Sequence, residues 1–224
     1  MKRVLNNRWT VLVLMIFVFL SCDKNKEEDE GLPFFNSFEF TPEWISPDSP
    51  EFSKIHTIPD FSFTNQNGEI VNQKTVEGKI YVANFIFTSC GSICPKMIDN
   101  MKILQDKFID DSEVLLLSHS VTPEKDNVAV LKEYAKEKGC VSGKWHLLTG
   151  DKEAIYSIAK KQYFAGDSIG YFGKANDFLH TENFILVDGK HRIRGVYNGT
   201  VAVEMDRIIE DIITLKKEKQ VLKD

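Results

Sequence analysis

Residues 79–87 read Lys79-Ile80-Tyr81-Val82-Ala83-Asn84-Phe85-Ile86-Phe87, a β-rich apolar run with no turn former inside it. A run of this kind buries both of its faces, which makes it a central strand of a sheet covered on each side. It leads through Thr88-Ser89 into Cys90-Gly91-Ser92-Ile93-Cys94-Pro95, after which Met97, Met101, Leu104 and Phe108 recur at helical spacing. A buried strand turning directly into an amphipathic helix dictates an α/β architecture.

The flanking patterns fill in the layers. Phe61-Ser62-Phe63 and Ile70-Val71 flank Asn67-Gly68, the signal of a hairpin. Val114–Leu117 reads as a second buried strand, and Val128, Leu131 and Ala135 as a helix ending near Gly139. Asp151–Lys160 reads as a shorter helix with Ala154, Ile155 and Ile158 inward. Asn183–Val187 and Arg192–Tyr197 form a last strand pair around Asp188-Gly189. A final helix follows, with Met205, Ile208, Ile209, Ile212 and Leu215 on its apolar face. Lysines crowd its last turns, where the negative end of the helix dipole favours them. The order β(β)βαβααββα is that of a thioredoxin-like fold, a mixed central sheet flanked by helices.

The first residues concern location. Lys2, Arg3 and Arg8 precede an apolar run from Val11 to Leu20, the charged and hydrophobic regions of a secretory signal. The run has half the ~20 residues that a membrane-spanning helix needs. Phe19-Leu20-Ser21-Cys22 resembles a bacterial lipobox, which makes Cys22 the expected lipidation site; two or more acyl chains give stable anchoring. Asp23–Glu30 is a charged tether with nothing to bury, and Gly31–Pro59 mixes Phe34, Phe35, Phe38, Phe40 and Trp44 with five prolines, an irregular arm packed over the domain. The expected division is residues 1–21 as a lipoprotein signal peptide, 22–57 as tether and arm, and 58–224 as the folded domain. The expected location is the bacterial cell envelope, facing the periplasm. A formal net charge of −5, made more acidic once the signal is removed, argues against a nucleic-acid partner.

The chemistry centres on Cys90 and Cys94. Two thiols at the start of a helix lie near unpaired backbone N–H groups and the positive dipole end, which favour thiolate over thiol. A structural disulfide here would close a single turn, and so short a loop stabilises little. The C-x-x-C spacing usual for redox pairs is widened by one residue, which leaves room for a metal between the sulfurs. Two thiolates and an imidazole suit Cu(I) and also accommodate Cu(II), whereas structural zinc wants four ligands. Among the five histidines, His119 and His146 lie in or beside central strands and read as packed residues. His56, in the arm, and His191, in a hairpin turn, read as exposed. His180 follows a Gly-containing stretch, Gly166–Asp177, and precedes a strand that ends beside the Cys-bearing helix in a thioredoxin fold. It is the candidate third ligand. Cys140, after Lys138-Gly139, reads as a helix-end residue without a function.

Several stretches together resemble the Sco/SenC family. They are Gly78-Lys79-Ile80 through Cys90 and then Cys94-Pro95; Ser120-Val121-Thr122-Pro123-Glu124-Lys125-Asp126; Leu131–Ala135; Trp145–Gly150; and His180-Thr181-Glu182-Asn183-Phe184 through Gly189. The resemblance covers roughly residues 58–215 in order. It implies that Cys90, Cys94 and His180 are copper ligands and that the protein helps to assemble the copper centre of cytochrome c oxidase, its partner being the oxidase subunit that carries that centre. Thr122 and Leu179 stand where the family more often has Asp, neither being a ligand. A metallochaperone is favoured over an enzyme. The alternative is a thiol–disulfide oxidoreductase in which Cys90 attacks and Cys94 resolves, so that the pair forms a redox-active disulfide; a peroxidase-type relative is a more remote third reading.

Overall fold

The computed structural model describes residues 31–166 and 181–221. The strands are β1 (Ser62–Asn65), β2 (Ile70–Asn72), β3 (Ile80–Ile86), β4 (Val114–Ser120), β5 (Trp145–Thr149), β6 (Asn183–Val187) and β7 (Ile193–Asn198). The helices are α1 (Gln73–Val76), α2 (Cys94–Lys107), α3 (Val128–Lys138), α4 (Lys152–Lys161) and α5 (Val203–Val221), preceded by a 3-10 turn at Pro50–Lys54. One seven-stranded sheet has the order β2-β1-β5-β4-β3-β6-β7. The pairs β3–β4 and β4–β5 are parallel, and the remaining pairs are antiparallel. The expected mixed sheet flanked by helices is what the chain forms.

Alternation along the strands divides the interior into two layers. Ile80, Val82 and Ile86 of β3, with Val114 and Leu116 of β4, face α2, α3 and α5 through Met97, Met101, Leu104, Leu131, Met205 and Ile208. Tyr81, Ala83 and Phe85, with Leu115 and Leu117, face α4 and the segment before β1 through Ile155, Ile158, Ile58 and Phe61. Each fully buried aliphatic side chain contributes roughly 1.5–3 kcal/mol, so both layers are needed to offset the chain's conformational entropy.

Three details depart from the pattern reading. The expected order lacks β5, whose outer ladder is completed by a side chain. β1 pairs with β5 only at Thr64↔Thr149 and Asn65↔Leu148. Beyond that, Gln66 takes over: its Nε2 donates to the Trp145 carbonyl at 2.8 Å, and its Oε1 accepts from the Leu147 amide at 2.8 Å. β4 runs three residues past Leu117, since Ser118, His119 and Ser120 are all buried despite their polarity. On α4, Ala154 lies on the outer face and Ala159 is inward, the position four residues beyond Ile155.

The arm also has local order. Phe34 and Glu43 exchange backbone hydrogen bonds of 2.8 and 3.0 Å, and the Phe35 amide donates to the Ile193 carbonyl at 3.1 Å. Among the described residues, no helix is long and apolar enough to cross a membrane. The expected signal peptide, Cys22 and the tether through Glu30 lie outside the described residues.

Candidate functional site

β3 ends at Ile86, and the chain turns through Phe87–Ile93 before α2 begins at Cys94. The Cys90 amide donates to the Phe87 carbonyl at 3.1 Å, closing a four-residue turn with Cys90 as its last member. Ile93 occupies the N-cap position and offers no capping side chain. The sulfur of Cys90 fills that role, accepting the Cys94 amide at 3.4 Å. Pro95 in the first turn removes a donor that would otherwise need a partner.

The two sulfurs have different environments. Cys90 is half-buried and Cys94 buried, and both are free thiols. Partial burial alone would push the Cys90 thiol up. The Cys94 thiol and the amides of Ser92, Cys94 and Ile93 all donate toward it and outweigh that effect, holding Cys90 below the usual thiol value. Burial pushes Cys94 up to about 12, reinforced by its hydrogen bond to Cys90; the Phe87 amide opposes this without reversing it. The pair is therefore one accessible thiolate-prone sulfur over one protonated, sheltered sulfur.

The histidines fall as follows. His119 is fully buried on β4 among the rings of Phe61, Phe63, Phe85 and Tyr163, and neither ring nitrogen has a hydrogen-bond partner. Burial depresses it to about 3. His146 is also buried, its Nδ1 3.1 Å from Asn65 Nδ2. His56 and His191 are half-buried rather than exposed: His56 Nε2 lies 2.9 Å from the Gln162 carbonyl, and His191 sits in the turn at φ +63°. His180 lies outside the described residues, as does Leu179. The start of its strand is described. The register Tyr81↔Val187, Val82↔Leu186, Ala83↔Ile185 runs the beginning of β6 toward the end of β3 from which Cys90 follows. Asn100 of α2 donates to the Gly199 carbonyl at 2.8 Å, and the Gly199 amide donates to the Glu182 carbonyl at 2.7 Å, tying the Cys94 helix to the residues just after His180. Among the described residues, no three His, Cys, Asp or Glu side chains form a metal-holding group.

Two neighbours of the thiols carry no role in the sequence reading. Asp126 accepts hydrogen bonds from Thr88, Ser120 and Thr122 beneath the Cys90 turn. Tyr134 of α3 packs beside the cysteines; burial raises its hydroxyl pKa, and negative charge on Cys94, Cys140 or Cys90 would raise it further. The cluster of hydroxyl residues at 88, 120 and 122 was the available signal for Asp126. Cys140 follows the left-handed Gly139, and burial pushes it to about 12, so it stays protonated.

A family model described as SCO1/SenC matches residues 50–217. The chain belongs to the SCO1/SenC family. The SCO1 protein homolog of Bacillus subtilis is 32% identical over 162 residues, 70% of this chain and 81% of that protein. Solved structures agree. A SCO1/SenC family lipoprotein from Bacillus anthracis superposes with a TM-score of 0.64 at 29% identity, covering 72% of this chain and 95% of that one. BsSco, described as a member of the Sco family of cytochrome c oxidase assembly proteins and as having a disulfide switch, gives 0.61 at 31% identity, covering 72% and 94%. Arabidopsis thaliana ScoI, solved with copper bound, gives 0.55 at 29% identity, covering 69% and 96%.

Proposed function

We propose that this SCO1/SenC protein carries copper, held through Cys90, Cys94 and His180, and delivers it to the oxidase subunit bearing the copper centre while cytochrome c oxidase is assembled. Lipid on Cys22 would hold the domain at the membrane surface of the bacterial envelope, on the periplasmic side, where tethering raises its effective concentration near a membrane-bound acceptor. The observation that carries the reading is the sulfur pair at the opening of α2, with Cys90 taking the Cys94 amide. Relatives support it: one is solved with copper, another is described as an oxidase assembly protein, and a third as a lipoprotein.

The donor set fits the cargo. Two sulfurs suit a soft ion such as Cu(I). A third donor has to come from beyond the described residues, and His180 directly precedes Thr181 at the start of the β6 segment. Cys90 is the sulfur that incoming copper or an acceptor thiolate meets first. Cys94, protonated near neutrality, must give up its proton to bind, so loading releases protons and weakens as pH falls. Three protein ligands leave the ion open to stepwise ligand exchange.

The test is a copper titration of the reduced protein beside Cys90→Ala, Cys94→Ala and His180→Ala. One copper per chain is expected, with tight binding lost in every variant. Full affinity in His180→Ala would remove the histidine from the proposal. The same asymmetry of the thiols favours a second reading, reduction of an acceptor disulfide. Cys90 thiolate would attack and form a mixed disulfide, and Cys94 would resolve it, leaving the acceptor with two thiols and this protein with a Cys90–Cys94 disulfide. If His180→Ala loses copper but keeps undiminished thiol exchange with the acceptor, the two activities are separable.

A further inference from the structure

Thr88 is gripped twice by one carboxylate. Its amide donates to Asp126 Oδ2 at 3.1 Å and its hydroxyl to Asp126 Oδ1 at 2.5 Å. The same carboxylate takes the Ser120 hydroxyl at 2.6 Å and the Thr122 hydroxyl at 2.9 Å, both on Oδ2. Asp126 is 1% exposed, and all four donors are neutral. Burying a carboxylate is costly unless its lone pairs are filled, and here the filling comes from three separate pieces of chain: the end of β3, the end of β4 and the turn after it.

We propose that Asp126 is the positioning residue for Cys90, acting through Thr88. Thr88 is the second residue of the turn that Phe87 O and Cys90 N close, so fixing both its amide and its hydroxyl fixes the plane of that turn. The turn in turn aims Cys90 Sγ at the Cys94 amide. The far side of the grip is anchored equally well. Ser120 Oγ also accepts the Thr122 amide at 3.1 Å, the Asp126 amide returns to the Thr122 carbonyl at 2.8 Å, and the Val121 amide donates to the Ile86 carbonyl at 2.9 Å. The carboxylate thus references the Cys90 turn to the two central strands. Asp126 touches neither sulfur in this arrangement; it sets where one of them stands. The metal-binding consequence rests on the copper reading above, whereas the geometric one does not.

The experiment compares Asp126→Ala, Asp126→Asn and Thr88→Val on two readouts. The first is free of metal: the equilibrium constant for closing the Cys90–Cys94 disulfide against oxidised glutathione, which becomes two equivalents of reduced glutathione. This constant reports the effective concentration of one sulfur at the other. Asp126→Ala is expected to shift it about tenfold and Thr88→Val a few-fold. Asp126→Asn, whose one remaining oxygen can still accept at the three-donor position, is expected to stay near wild type. The second is copper affinity and the thiolate-to-copper absorption band. Asp126→Ala is expected to weaken affinity by about 10–100-fold, the usual loss when a group that orients a ligand is removed, and to move the band. A residue that merely stabilises the fold would lower the melting temperature while leaving the glutathione constant and the band unchanged per folded molecule, and that result overturns the proposal. If Asp126→Ala does not fold, Thr88→Val decides: a glutathione constant equal to wild type ends the idea. Loss of copper from the wild-type protein itself would defeat the copper reading while leaving the glutathione comparison intact.

Discussion

The two ends of the sheet are built on opposite principles. At the end where β3 begins, charged groups are cross-linked. Arg194 holds Asp188 and Glu218 and donates to the Leu32 and Pro33 carbonyls; Arg192 holds Asp188; Lys219 holds Glu113 and the Gly78 carbonyl; Lys216 pairs with Asp111. Arm, terminal helix and last hairpin are thereby locked together. At the end where β3 finishes, the Asp126 carboxylate is met by neutral donors, α2 has no side-chain cap, and two thiols are left free. The Cys94 thiol and the amides around the helix start together keep Cys90 below the usual thiol value, and a capping side chain would compete for those amides. Stability is concentrated at one end and reactivity at the other.

That division can be broken most forcefully at Arg194. Its side chain is 3% exposed, and removing it takes the cation from Glu218, takes one of two arginines from Asp188 and strands two carbonyls. Arg194→Ala should cost about 3–5 kcal/mol in a denaturant titration, the range for breaking one side of a buried ion pair. Copper binding per folded molecule should not change. If it drops, the two ends are coupled.

Gly199→Ala should do the reverse. A Cβ there would stand 2.4 Å from the Phe184 ring and 2.9 Å from the Glu182 carbonyl, so Glu182, two residues after His180, has to move. Overpacking of this kind costs about 1–3 kcal/mol. The expected signature is a loss of copper affinity larger than the loss of stability would account for, read by titration and by thermal melting of the same sample.

Acid sharpens the comparison further, because the group involved is neither cross-linked nor exposed. His119 has a folded value of about 3, against about 6.5 in the unfolded chain, so below about 6.5 the unfolded state takes up the proton and the folded state does not. Stability therefore falls as pH drops from about 6.5 toward 3, by about 2 kcal/mol between pH 7 and pH 5 from this residue. His146 and His191, lowered mainly by burial, add in the same direction. His119→Phe should flatten the slope without abolishing it. An unchanged slope would mean that His119 is not the group responsible.

What could be read from residues alone was whatever periodicity reports. β3, α2 and the two layers of the core followed from apolar spacing, and the sulfur pair from its place between strand and helix. β5 is missing from the expected order although His146 reads as in or beside a strand, and the end of β4 escaped because Ser118, His119 and Ser120 break the apolar run that the fold nevertheless buries. The difference between Cys90 and Cys94 was also out of reach, since it depends on which sulfur the helix packing covers. Asp126 was quoted within a motif but given no task, because its four donors meet only in the fold. His180 and Cys22 lie outside the described residues, so their parts in the site and the anchor rest on pattern and relatedness.

Gln66 reaches Trp145 and Leu147 with one amide, acting as a short length of strand made from side-chain atoms. Its register is therefore written in the difference between an NH2 and an oxygen. Hydrolysis of that amide to a carboxylate, a change of one atom, would set two acceptors against each other at the Trp145 carbonyl. The hairpin's hold on the sheet would then weaken to the Thr64–Asn65 ladder and its buried side chains, without any break in the chain.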